Sequence, residues 1–176
     1  MKLATLLLCA LLLSMGGCVL ISGQITTSFN LGNIHVTGAN DVEHKDVDLN
    51  TNSDYADHKD NLKGLADLAV LGTVENLGQA LGVEVWLTAD NSSYTTAGDV
   101  KAHGIKLWGK FDLAVGETKV VDWDASAGLF TAEGKAALIT EILGDGKFSV
   151  YALGGSGDYS FNIPTTTLVL VIDAGV

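Results

Sequence analysis

Seven Asp and Asn side chains fall between positions 46 and 60: Asp46, Asp48, Asn50, Asn52, Asp54, Asp57 and Asp60. Hard oxygens are what Ca²⁺ takes in its flexible six-to-eight coordination. Asp48-x-Asn50-x-Asn52 has the one-three-five spacing that opens an EF-hand loop. The match then fails, because position six is Ser53 rather than Gly and position twelve is Lys59 rather than Glu. An EF-hand is excluded. A looser, weak Ca²⁺ loop stands against a solvated stretch whose Asx side chains bond their own backbone. The histidines His35, His44, His58 and His103 form no His-x-His or His-x-x-x-His pair. His44 and His58 flank the acidic stretch and would need its carboxylates to hold a transition metal.

Nucleophilic catalysis finds no support. There is no Gly-x-Ser-x-Gly, and no spacing of Ser, His and carboxylates nominates a triad. Asp122 and Asp124 flank Trp123, which imitates a glycosidase carboxylate pair beside a stacking platform. Alternate acids at a strand end read equally as exposed charge. Gly154-Gly155-Ser156-Gly157 is a turn, since no Lys follows it and no helix starts there. We expect no enzyme activity and no cofactor beyond weak Ca²⁺; an envelope hydrolase is the remaining enzymatic reading. Trp86, Trp108 and Trp123 are the other residues of interest. Trp86 and Trp108 sit opposite the aliphatic positions of their segments. They either fill a second packed layer or mark an interaction surface.

The charge balance narrows the partners. All ten basic residues are Lys, set against 21 acids, for a formal net charge of −11. Nucleic-acid binding draws its affinity from Lys and Arg on phosphates, so it is excluded. Lack of Arg also removes the bidentate fork for phosphate or carboxylate substrates. With 47% hydrophobic residues over 176 positions, the chain can bury one core, and disorder is not expected.

The N-terminus carries an address. Met1-Lys2 precedes the apolar run Leu3–Leu13, and Ser14-Met15-Gly16-Gly17-Cys18 follows. Eleven apolar residues are too few for a spanning helix, which needs about 20. The segment reads as a secretory signal peptide. Met15-Gly16-Gly17-Cys18 resembles the lipobox of bacterial lipoproteins, with Met where Leu is usual. That resemblance implies acylation of Cys18 and removal of residues 1–17. Several acyl chains on one residue hold firmly, at about 0.8 kcal/mol per buried methylene. It also implies a lipid-anchored envelope protein with a membrane and an envelope protein as partners. Val19, where inner-membrane lipoproteins often keep Asp, favours the outer membrane. The same run also reads as an ordinary leader ending at Gly17, with Cys18 a free thiol. The other cysteine, Cys9, lies within the leader, so no disulfide is expected.

The elements that must position these residues follow from periodicity. Residues 18–24 read as a lipidated tether and 25–176 as a single domain. Alternation marks strands at 25–31, 34–36, 47–49, 65–74, 82–88, 105–111, 118–123, 147–153 and 159–172, with Pro164 interrupting the last. Residues 50–61 read as a polar loop with at most one helical turn, and 90–98 as a loop. Leu138, Ile139, Ile142 and Leu143 have helical spacing, with Thr131 as N-cap and Gly144 past the end. They predict one amphipathic helix over about 127–143 that packs on the sheet. Eight or nine short strands with frequent turns predict an antiparallel β-sandwich. Asn76-Leu-Gly-Gln-Ala-Leu-Gly-Val-Glu-Val-Trp-Leu87 loosely resembles immunoglobulin-like modules, in which an asparagine ends one strand before its hydrophobic partner. No Cys–Trp–Cys set accompanies it.

Overall fold

The computed structural model describes residues 22–37, 42–78, 81–89, 92–154 and 160–175. The expected leader and Cys18 lie outside the described residues, as does most of the turn expected at 154–157. The strands are β1 (Ser22–Thr37), β2 (Val42–Asp48), β3 (Leu62–Asn76), β4 (Leu81–Ala89), β5 (Ile105–Leu113), β6 (Thr118–Val121), β7 (Lys147–Leu153) and β8 (Ser160–Gly175). Helices α1 (Ser53–His58), α2 (Ala97–His103), α3 (Trp123–Leu129) and α4 (Ala132–Leu143) fill the connections.

The strands form two four-stranded antiparallel sheets, ordered β1-β8-β3-β6 and β2-β7-β4-β5. The antiparallel β-sandwich expected from the sequence is therefore what the chain adopts. The pairs nest: β1 with β8, β2 with β7, β3 with β6 and β4 with β5. One long ribbon wound onto itself in this way is a jelly roll. The connectivity departs from the immunoglobulin resemblance. Asn76 does end a strand, but β3 and β4 lie in opposite sheets and do not pair. Asn76 is buried instead as a corner staple, its side-chain amide donating to the carbonyls of Leu113 and Ala114.

Four boundaries differ from the periodic reading, each for a local reason. Strand β1 starts inside the stretch 18–24 expected as a tether, because Ser22, Gly23 and Gln24 pair with Gly175, Ala174 and Asp173. The single helix expected over 127–143 is two. Phe130 adopts extended backbone and bridges Trp108, and Thr131 restarts the helix by accepting from Gly134 N at 2.9 Å. Leu138 and Ile142 are buried and Ile139 is partly buried, but Leu143 is 40% exposed and does not pack. Helix α2 occupies part of the expected loop. Its signal was present as Thr96-x-x-Asp99, where Thr96 Oγ1 accepts from Asp99 N and donates to Asp99 Oδ2. Finally, β8 runs through Pro164, since the proline sits where the ladders to both neighbours shift register. Bulges are the interior sites where a missing N–H is tolerated.

The polar stretch at 50–61 is not a free loop. Leu49 and Tyr55 are fully buried in the main core, and Tyr55 Oη donates to Ile142 O at 2.7 Å. Helix α1 thus closes one end of the sandwich against α4.

Candidate functional site

The acidic residues expected to hold Ca²⁺ are distributed rather than gathered. Asp46 Oδ1 accepts from Ser149 Oγ and faces His44 Nε2 at 2.9 Å. Asp48 accepts from Asn50 N and Asn50 Nδ2 and pairs with Lys147 at 3.1 Å. Asn50 Oδ1 accepts from Lys59 Nζ, and Asn52 Oδ1 caps α1 through Asp54 N and Tyr55 N. Asp54 and Asp57 lie exposed on α1. The Asn50 amide, opposed by burial and aided by Lys147, holds the Asp48 carboxyl below its usual range. Among the described residues no three His, Cys, Asp or Glu side chains converge as a metal site. Asx side chains here do what they do in turns and caps, binding local backbone.

The three tryptophans occupy three different places. Of the two readings of Trp108, packed layer or interaction surface, packing holds: it is 5% exposed and inside the core. The cause is a bulge: register shifts at Val85 let Leu107 and Trp108, consecutive in β5, both enter the interior. Trp86 lies half-buried on the outer face of its sheet, beside Tyr151 and Val100 under α2. Trp123 opens α3 and donates from Nε1 to Asp67 Oδ2 at 3.2 Å. Its neighbour Asp122 caps α3 by accepting from Ala125 N, so the carboxylates flanking Trp123 are not arranged as a facing pair.

Beside Trp86 sits a charge knot. Glu84 pairs with Lys106 and with Lys101 at 3.5 Å, and Trp86 Nε1 donates to it at 3.3 Å. Burial alone would raise the Glu84 carboxyl; Lys106, Trp86 and Lys101 together outweigh it and hold the carboxyl below its usual range. The native state therefore takes up this proton less readily than the unfolded chain. Its stabilising contribution is present above the ordinary carboxylate range and is lost as pH falls through the lowered pKa. Glu84→Gln is expected to make the acid limb of a urea-midpoint series against pH less steep. An unchanged acid limb would contradict this.

The feature the sequence reading missed lies between the sheets. A cavity of about 60 Å³ sits there, lined mainly by apolar side chains. Its wall draws on β1, β2, β3, β4, β5, β7 and β8, and it ends against Phe130 and Leu138 on the helical side. On the β2 side it is lined by Lys45, which is exposed, and Glu43, which is half-buried. Glu43 and Lys45 alternate with buried Val47, so they occupy core-facing positions of an edge strand. Inward charges of this kind keep an edge strand from closing or pairing.

One lining residue, Thr166, belongs to an irregular row across the first sheet. Thr166 lies opposite Gly32 on β1 and opposite Gly72 on β3. Both ladders slip at this row, next to Pro164. Gly32 has φ +81°, a conformation that glycine adopts at little cost. Thr166 stands between these two glycines. It is 4% exposed, and its Oγ1 has no hydrogen-bond partner. The signal in the sequence was a glycine or proline interrupting each of three strand patterns. Only pairing reveals that these interruptions share one row.

No protein-family model and no curated protein matches the chain. Among solved structures it is similar to that of desmodium yellow mottle tymovirus, at 13% identity and TM-score 0.31, over 86% of this chain and 89% of that one. It is also similar to that of infectious bursal disease virus, Gx strain, at 11% identity and TM-score 0.32. There the match spans 86% of this chain and 32% of the other. Both scores lie below 0.5 and carry no argument; the jelly-roll assignment rests on strand order alone.

Proposed function

We propose that this chain is a lipid-anchored, non-catalytic binding module of the bacterial cell envelope, and that it takes an apolar guest into the cavity between its sheets. The observation that carries the binding role is the cavity itself. It is an apolar space of about 60 Å³ lined from both sheets, where only a small apolar guest would fit. The Asp/Asn stretch is a weaker candidate, because its side chains already serve as caps and lysine partners.

The anchor rests on Met15-Gly16-Gly17-Cys18 and on its spacing. Strand β1 begins at Ser22, four residues beyond Cys18, so at most about 14 Å of extended chain separates them. An acylated Cys18 would hold the sandwich close to the membrane surface, in the outer membrane if Val19 acts as the resemblance implies. Cys18→Ala is expected to move the protein from the membrane to the soluble fraction. A variant that stays membrane-bound and uncut would assign anchoring to the Leu3–Leu13 run and overturn the lipoprotein reading.

A second reading, docking onto an envelope protein, is favoured by one observation. Leu77, Val115 and Val120 are 59%, 68% and 67% exposed and share the corner where β3 meets β6. Exposed apolar side chains grouped this way suit a protein partner.

A further inference from the structure

We infer that this chain pairs with a second copy of itself through strand β1, the two β1 strands running antiparallel about Thr26 and joining their sheets into one. The inference rests on neither the cavity nor the lipid anchor. An edge strand offers a row of backbone donors and acceptors that a further strand can complete. The two sheets have four such edges, β1, β6, β2 and β5. Three of them carry devices that keep other strands away. Strand β6 is four residues long and holds Lys119. Strand β2 places Glu43 and Lys45 at core-facing positions. Strand β5 contains Lys106, Lys110 and Asp112, and Phe130 and Thr131 bond along part of it. Strand β1 has none of these devices. It is 16 residues long and contains no Lys, Arg, Asp, Glu or Pro.

Charge selects the occupant. The chain carries a formal net charge of −11, so two copies repel. A contact about a two-fold axis sets each residue near the axis against its own copy. A lysine or an acid there meets itself. Among the four edges, β1 alone offers uncharged side chains throughout, with Gln24, Thr26, Ser28 and Asn30 exposed. The acid beside it on β8, Asp173, accepts from Gln24 Nε2 at 3.1 Å. Register suits the same pairing. Ser22↔Gly175 to Asn30↔Thr167 run without a slip before the irregular row at Gly32. That straight stretch is about 30 Å long, and Thr26 is its midpoint. The Ser28 carbonyl accepts from Asn52 Nδ2, outside the sheet, at 3.4 Å. Backbone groups alternate between the two sides of a strand, so Gln24, Thr26 and Asn30 turn theirs away from β8 with Ser28. Antiparallel pairing about Thr26 sets Thr26 opposite Thr26 and Gln24 opposite Ser28, so outward residues meet outward residues. The Asn52 contact is long, and Asn52 Oδ1 keeps its capping bonds to Asp54 N and Tyr55 N without it. A strand N–H then replaces the Asn52 amide at the Ser28 carbonyl.

Oxidative cross-linking of the purified full chain tests this, with the unmodified chain as the background for Cys9 and Cys18. Facing residues of a hydrogen-bonded antiparallel pair lie about 5.5 Å apart at Cα, within the span of a disulfide. Thr26→Cys is therefore expected to give a covalent dimer under copper–phenanthroline. His35→Cys, on the same strand but beyond the paired stretch, and Val120→Cys, on β6, should stay at background. Sedimentation of the unmodified chain should show a dimer fraction that grows from 20 mM to 500 mM NaCl, because salt screens the repulsion between two acidic copies. Thr26→Lys should sediment as a monomer while keeping the urea midpoint of the parent, since position 26 is exposed. Cross-linking at 35 or 120 equal to that at 26 would overturn the inference. A monomer at every salt concentration would overturn it as well. A dimer that survives Thr26→Lys and dissociates in Val120→Lys would move the contact to the exposed apolar corner and overturn the role of β1.

Discussion

A Gly134→Ala variant is expected to lose at least about 3 kcal/mol of unfolding free energy, although the same change in an ordinary helix stabilises by up to about 1 kcal/mol. Gly134 lies in the first turn of α4 and is buried against β5. A Cβ there would fall 2.5 Å from Leu107 Cα and 2.8 Å from Thr131 Oγ1, and closer still to the carbonyl of Lys106. Two of these neighbours are backbone, so no side-chain rotation relieves the overlap. The helix must lift away from the strand. Lifting would break the contact in which Thr131 caps α4 while its Oγ1 donates to Lys106 O at 2.5 Å. It would also draw Leu138 and Ile142 out of the core. Urea unfolding of the purified variant measures the effect. A stability equal to or above that of the unmodified protein would show that α4 does not dock as closely as described.

Ile142→Ala is expected to cost about 2–5 kcal/mol, the range for truncating a fully buried aliphatic side chain. Ile142 is 0% exposed and packs in the main core with Leu138, Tyr55 and Leu49. Its carbonyl also receives the Tyr55 hydroxyl, so the residue joins α4 to the segment that closes the sandwich end. The paired control is Leu143→Ala, at a side chain 40% exposed. Substitution there is expected to change stability by less than about 0.5 kcal/mol. Similar losses at the two positions would mean that the buried face of α4 is misassigned. The expectation from spacing alone treated Leu138, Ile139, Ile142 and Leu143 as one packed set. A stripe four residues wide at the end of a helix turns past the sheet, and Leu143 lies on the side that has turned away.

How far the sequence could be read depended on the distance over which each signal acts. Strands β5 and β7 were legible almost to the residue, because apolar alternation is local and both lie between clear turns. The N-cap at Thr131 was legible, since a cap involves residues two or three apart. Helix α2 was legible in principle through Thr96 and Asp99 but was hidden by the polar composition around it. The Asp/Asn stretch was misleading. Its composition matches that of a cation loop, yet Asp48, Asn50 and Asn52 are occupied by Lys147, Lys59 and the α1 backbone. Lys147 reaches it from about a hundred positions away, and no spacing rule could have supplied that partner.

The sequence by itself determined the class of the chain. Its acidic balance without Arg, its apolar fraction and its two-residue periodicity are all properties of neighbouring residues or of counts. They suffice for an antiparallel sandwich. Tertiary structure alone decided the winding and the site. Whether β3 pairs with β4 or crosses to the other sheet is a competition between whole strands for the same edges. Trp108 entered the core because a bulge opposite Val85 reversed the side its alternation assigned. Gly32, Gly72, Pro164 and Thr166 lie far apart along the chain, and each looks like a local flaw in a strand. Pairing β8 between β1 and β3 sets Gly32, Thr166 and Gly72 in one row, with Pro164 in the slipped stretch beside it. That outcome depends on register, which is set only when all three strands are in place.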